Sequence, residues 1–141
     1  LGRKSLTKLI MEKTIFQKII DREIPATIVY EDEQTIAFLN IEPVTKGHIL
    51  LITKEPYVWM TDVPEELVGY IYQKAKEIML AMKKGLQCHI VQVAVMGEQV
   101  PHFHIHLIPR EKGDTLAELY PRFSYKEGEK QLYADKIKSA L

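Results

Sequence analysis

Residues 101–110 read Pro101-His102-Phe103-His104-Ile105-His106-Leu107-Ile108-Pro109-Arg110. Histidine alternates here with Phe, Ile and Leu, a period of two, which is the period of a β-strand. Successive side chains of a strand point to opposite faces. The stretch therefore predicts His102, His104 and His106 on one face and Phe103, Ile105 and Leu107 on the other. Next-but-one residues lie roughly 6.6 Å apart, so the row of imidazoles would be about 13 Å long. The apolar face would hold that row against a core.

Upstream of this strand, Gly97 breaks a β-rich run, His89–Val95. Before it, Asp62-Val63-Pro64-Glu65 reads as a capping-box start. Leu67, Ile71, Ala75, Ile78 and Met82 then step in threes and fours, predicting a helix of about twenty residues that Gly85 stops. Glu65-Glu66 and Lys83-Lys84 suit the two ends of its dipole. His48-Ile49-Leu50-Leu51-Ile52-Thr53 is apolar enough for a central strand, and Asn40–Gly47 is the loop before it. Thr27–Tyr30 and Thr35–Leu39, split by Glu31–Gln34, read as a hairpin. Thr14–Asp21 carries Ile15, Phe16, Ile19 and Ile20 on one side, a short helix with Thr14 as cap, ended by Ile24-Pro25. Beyond Arg110 come turn signals at Gly113-Asp114 and Pro121 and a terminal helix near Glu129–Leu141. The predicted class is α+β: a five-stranded, mainly antiparallel sheet with one long helix and a short N-terminal helix.

A chain of 141 residues, 46% hydrophobic, can build one domain with its own core. Nineteen basic residues balance nineteen acidic ones, so no charge excess points to nucleic acid or to an anionic membrane. Cys88 is the one cysteine, which excludes an internal disulfide and a cysteine-rich zinc site. A lone thiol fits a reducing compartment, and the expected location is the cytoplasm. No apolar run approaches the roughly 20 residues of a membrane-spanning helix. Leu1–Ile10 is basic but too polar for a signal-peptide core, and Met11 offers a start. Residues 1–13 are read as an extension and 14–141 as a single domain.

Three histidines on one face can do several things. As core residues they would need partners for two ring nitrogens each, a heavy demand on one strand. As metal ligands they face a reach problem, since a Zn–N bond is about 2.0–2.1 Å and the outer rings about 13 Å apart. His48 and Glu98 would have to complete such a site. The third use is phosphate chemistry. Imidazole titrates near pH 6.5, so one ring can be a neutral nucleophile while a neighbour donates a proton. Attack on phosphorus would give a covalent phospho-imidazole and divide one hard displacement into two easier ones.

His-φ-His-φ-His-φ-φ, filled by His102 to Ile108, resembles the signature of the histidine triad (HIT) superfamily of nucleotide hydrolases and transferases. Thr14–Ala26 is similar to that family's opening, and Ala37–His48 to its nucleoside-binding segment. The resemblance covers residues 14–110 and is nearest to the purine nucleoside phosphoramidase branch. It implies a HIT-like fold and a purine nucleotide as ligand. It implies His104 as nucleophile on the α-phosphate, with His106 contacting phosphate and passing a proton to the leaving group. His102 and His48 would orient these rings. Asn40, where the family often has Asp, would bond the ribose hydroxyls. Ile15, Phe16, Ile19, Phe38 and Ile41 would line a slot for the base, though each also reads as ordinary core. Gly97, Glu98, Gln99 and Val100 would face the phosphates. The resemblance further implies a homodimer, with the long helix and residues 89–95 near the two-fold. It implies no cofactor.

Departures from the pattern fall beside the triad. The family usually has Gly-Gln-Ser/Thr-Val, and here the run is Gly97-Glu98-Gln99-Val100. An ionised Glu98 would repel phosphate, and a protonated one could donate to it, so the alternative to an enzyme is a nucleotide-binding sensor or scaffold module with weak or no catalysis. Some relatives carry zinc-binding cysteines near the N-terminal helix. Thr14 and Gln17 stand there, so no structural zinc is expected.

Overall fold

A computed structural model describes residues 12–97, 99–114 and 123–141. Most of the predicted extension, Glu98 and the turn signal at Pro121 lie outside the described residues. In chain order the elements are α1 (Ile15–Ile20), β1 (Ile28–Glu31), β2 (Thr35–Leu39), β3 (Ile49–Thr53), a 3-10 turn (Met60–Asp62), α2 (Glu65–Leu86), β4 (Ile90–Ala94), β5 (His104–Arg110) and α3 (Glu129–Lys138). The strands form one five-stranded sheet in the order β1-β2-β3-β5-β4, and every neighbouring pair is antiparallel. Among the described residues no helix is long and apolar enough to cross a membrane.

Period-two alternation divides the core. Leu51, Phe103, Ile105 and Leu107 face α2 and meet its buried stripe of Ile71, Ala75, Ile78 and Met82. Ile36, Phe38, Leu50 and Ile52 point the other way and meet Phe16 and Ile19 of α1. β3 and β5 are buried along their whole length because both faces are covered. The register sets Leu50 opposite His106 and Ile52 opposite His104, so the imidazoles share the α1 face.

The β1–β2 turn is organised by Asp32. Its carboxylate accepts from the amides of Gln34 and Thr35 at 2.9 and 2.7 Å, and from the Thr35 hydroxyl at 3.0 Å. The Tyr30 and Tyr70 hydroxyls donate to it at 2.6 and 2.5 Å. Burial pushes the Asp32 carboxyl up, but the bonds from Tyr30, Tyr70, Gln34 and Thr35 outweigh it and hold the group well below the usual carboxylate range. Tyr70 belongs to α2, so this one side chain ties the hairpin to the long helix. At the far end of β5, the buried Arg110 reaches the Asp114 carboxylate at 2.8 Å and Gln92 Oε1 at 2.5 Å, which fixes the expected turn at Gly113-Asp114.

Four local expectations are corrected. The long helix has Pro64 as its N-cap residue, with no side-chain cap. Asp62 instead closes the preceding 3-10 turn by accepting from the Trp59 amide at 3.3 Å. The helix runs through Gly85 and ends at Gln87, whose φ of 53° makes the left-handed reversal that glycine was expected to make. β5 begins at His104, because Pro101 and His102 form a turn in which the His102 amide donates to Val100 O at 2.8 Å. β3 begins at Ile49, the His48 amide being taken by Thr45 O at 3.1 Å.

Candidate active site

The four buried histidines gather on the α1 side of the sheet. β5 supplies His104 and His106, the turn before it His102, and the loop end before β3 His48. Ring centroids of His104 and His106 are 4.9 Å apart, and those of His48 and His106 are 5.2 Å apart. Phe16 of α1 stands edge-on to His104 at 5.1 Å and to His102 at 6.0 Å. Thr14 caps α1 by accepting from the Gln17 amide at 3.1 Å, which holds Phe16 in place.

Hydrogen-bond partners assign every tautomer in the neutral state. A carbonyl only accepts, so His102 donates from Nε2 to Thr53 O at 2.6 Å. Its Nδ1 is buried without a partner. His104 donates from Nδ1 to His102 O at 2.7 Å, which leaves its Nε2 as a lone pair. The Val44 amide donates to His48 Nδ1 at 3.1 Å, so His48 carries its proton on Nε2. That proton is donated to His106 Nδ1 at 2.9 Å, and the proton of His106 is left on Nε2. One ring thus offers a lone pair and its neighbour an N–H.

Burial, reinforced by the nearby His104 and His48 rings, lowers the pKa of His106 from 6.5 to about 4. Burial also lowers His48. It lowers His102 as well, against the opposing bond to Thr53 O. These three rings are uncharged at neutral pH. Among the described residues no three His, Cys, Asp or Glu groups converge as a bound metal would require.

His104 and His106 lie on the wall of a cleft of about 320 Å³. The cleft brings together the predicted Ile15, Phe16, Ile19, Phe38, Asn40, Ile41, Gln99 and Val100. Ile41 is 93% exposed and Ile15 58%, so they form its rim, while Phe16, Ile19 and Phe38 are buried wall. The Asn40 side-chain oxygen accepts from the Glu42 amide at 2.9 Å, so its NH₂ group is the end available to a ligand. His48 and His102 lie behind the cleft and touch it only through their neighbours. Gly97 is not among the lining residues: with φ at 72°, it packs where a Cβ would sit 2.6 Å from the Trp59 ring. Glu98 lies outside the described residues.

A HIT domain matches residues 21–113. The chain belongs to the HIT family. An uncharacterized HIT-like protein of Methanocaldococcus jannaschii is 41% identical over 104 residues, covering 71% of this chain and 81% of that one. The crystal structure of a HIT family member from Bacillus subtilis superposes with a TM-score of 0.82 at 33% identity, over 92% of this chain and 98% of the other. A HIT family hydrolase from Legionella pneumophila superposes with a TM-score of 0.63 at 32% identity, over 75% and 97% of the two chains.

Several cleft residues of this HIT protein carry no mark in a strand-period reading. Ile24, Pro25 and Ala26 line the cleft beside Leu39, Glu42 and Leu50. The first three fall within the opening segment that resembles the family, which was the available signal. Thr53 O and the Val44 amide act through backbone groups, which residue identity does not report.

Proposed function

We propose that this HIT protein is a hydrolase of purine nucleotides that attacks the α-phosphorus through His104 and passes through a nucleotidyl-histidine, with a phosphoramidate or related leaving group. The observation that carries this reading is the tautomer pattern. His104 Nε2 presents a lone pair, and His106 Nε2 presents a proton 4.9 Å away between ring centroids, beside an apolar cleft. The Legionella relative, described as a HIT family hydrolase, supports the reaction class.

In this reading the base enters between Ile15, Phe16, Ile19, Phe38 and Ile41, and the Asn40 amide donates to the ribose. The lone pair of His104 Nε2 forms a bond to phosphorus while the bond to the leaving group breaks, its electron pair going with that group. Negative charge on the bound phosphate raises the affinity of His106 for a second proton. With that proton held on Nδ1, His106 gives its cleft-side Nε2 proton to the departing amine and is left neutral. Water then attacks phosphorus while the vacated His106 Nε2 takes its proton; the bond from phosphorus to His104 Nε2 breaks, its electron pair restoring the lone pair, and the nucleoside monophosphate leaves. His102 contributes the carbonyl that keeps the His104 proton on Nδ1. Gln99 and Val100, which line the cleft with His104 and His106, would face the phosphates.

Rapid quenching of a slow phosphoramidate substrate followed by peptide mass spectrometry is expected to find a nucleoside monophosphate adduct on His104. Turnover with the adduct on another residue would overturn the assignment. The same reading includes a homodimer about α2 and residues 89–95. Edge strand β4 leaves Ile90 and Val93 half exposed, the kind of apolar strand edge that a second copy covers. Light scattering is expected to return twice the chain mass, and the monomer mass would refute the dimer.

A further inference from the structure

Loop 40–47 does two things that residue types alone would not connect. Its first part, Asn40 to Glu42, lines the cleft. Its second part holds His48. The Asn40 amide donates to His48 O at 2.9 Å, the His48 amide to Thr45 O at 3.1 Å, and the Thr45 hydroxyl to Pro109 O at 2.6 Å. The loop is thereby fastened to β5, and the Val44 amide is aimed at His48 Nδ1.

The geometry points to the Val44 N–H as a positioning group that, through His48, keeps the proton of His106 on its cleft-side Nε2 and opposes a second proton on Nδ1. This deepens the hydrolase reading and rests on it for its catalytic meaning. A second proton on His106 would sit on Nδ1, 2.9 Å from His48 Nε2, which already carries one. His48 could yield only by moving its own proton to Nδ1, and there it would face the Val44 N–H at 3.1 Å. Either way two donors confront each other and a hydrogen bond is lost. The acid is thus uncharged in the empty site and takes its proton only against an added negative charge. The titratable groups facing His106 among the described residues are His104 on its own strand, His48 on the loop before β3, and Glu42 across the cleft. Among the described residues no Lys or Arg lines that cleft.

The test uses the whole protein without nucleotide. Imidazole ¹⁵N spectra near pH 7 are expected to show protonated Nε2 and unprotonated Nδ1 on both His48 and His106. Val44→Pro removes the amide proton. It is expected to raise the pH at which His106 titrates by about one unit, and to move the acid limb of the kcat/KM profile with it. Val44→Ala keeps the amide and should titrate as the wild type does. A wild-type His48 protonated on Nδ1 would overturn the proposal, as would a folded Val44→Pro variant with unchanged titration. Should Val44→Pro fail to fold, the wild-type spectra decide. Absence of nucleotide turnover would sink the hydrolase reading while leaving these spectra interpretable.

Discussion

Replacing His104 by alanine is expected to lower hydrolysis of an adenosine phosphoramidate by at least about a thousandfold. The reason is local. His104 is the ring whose Nδ1 is committed to His102 O and whose Nε2 is free at the cleft. No other imidazole can take over. His106 Nδ1 is occupied by His48 and its Nε2 carries a proton, so it has no lone pair to offer. His102 is fully buried and faces Thr53 O with its only proton. His104→Gly, which opens a ring-sized gap, should regain part of the activity with added imidazole. Equal rates for wild type and His104→Ala would rule the covalent route out. The ring also packs against Phe16. A melt of each variant therefore accompanies the rates, so that lost turnover is not lost fold.

Acid is expected to weaken the fold well above the range in which carboxylates titrate. His106 takes up a proton near pH 6.5 in the unfolded chain but only near pH 4 in the folded one. Between those values the unfolded state binds more protons, so stability is complete above about pH 6.5 and drains away as pH falls toward 4. The contribution of His106 alone is of order 3 kcal/mol. His48 and His102, lowered by burial in the same direction, add to it. Asp32 behaves oppositely. Its depressed carboxyl contributes above its unfolded value of 3.8 and loses that contribution only below it. Urea denaturation at pH 7, 5.5 and 4.5 separates the two, because between pH 7 and 5.5 only the histidines act, whereas near pH 4.5 Glu31, held low by its bond from Lys54, begins to contribute as well. A midpoint unchanged from pH 7 to 4.5 would show that the rings are not held neutral.

The alternation of His104, Ile105, His106 and Leu107 was enough to place the two imidazoles on one face and their neighbours against α2, because successive side chains of a strand point to opposite faces. The stripe of Ile71, Ala75, Ile78 and Met82 was equally legible, and all four are buried. What failed were signals with two competing uses. Asp62 can cap a helix or close a 3-10 turn, and Pro64 between it and Glu65 decides for the turn. Gly85 can end a helix, but an exposed Gly is also tolerated inside one, and Gln87 accepts the left-handed backbone instead. His102 fits the alternation yet leaves the strand, since Pro101 has no amide for a ladder. Most of the base slot was named by resemblance. The tautomers were not legible, because they are set by Thr53 O, His102 O and the Val44 amide, backbone groups that any residue supplies.

The antiparallel register of β5 has a further consequence for how such a chain can vary. From His104 to Leu107 its residues alternate strictly between the cleft, lined by His104 and His106, and the α2 core, which holds Ile105 and Leu107. One inserted residue between Phe103 and Leu107 would turn the remaining imidazoles beneath the long helix and push isoleucine and leucine into the cleft. Length changes are therefore barred from this strand. Diversification of ligand preference is left to the segments around it: the loop carrying Asn40 to Glu42, and the approach through Gln99 and Val100.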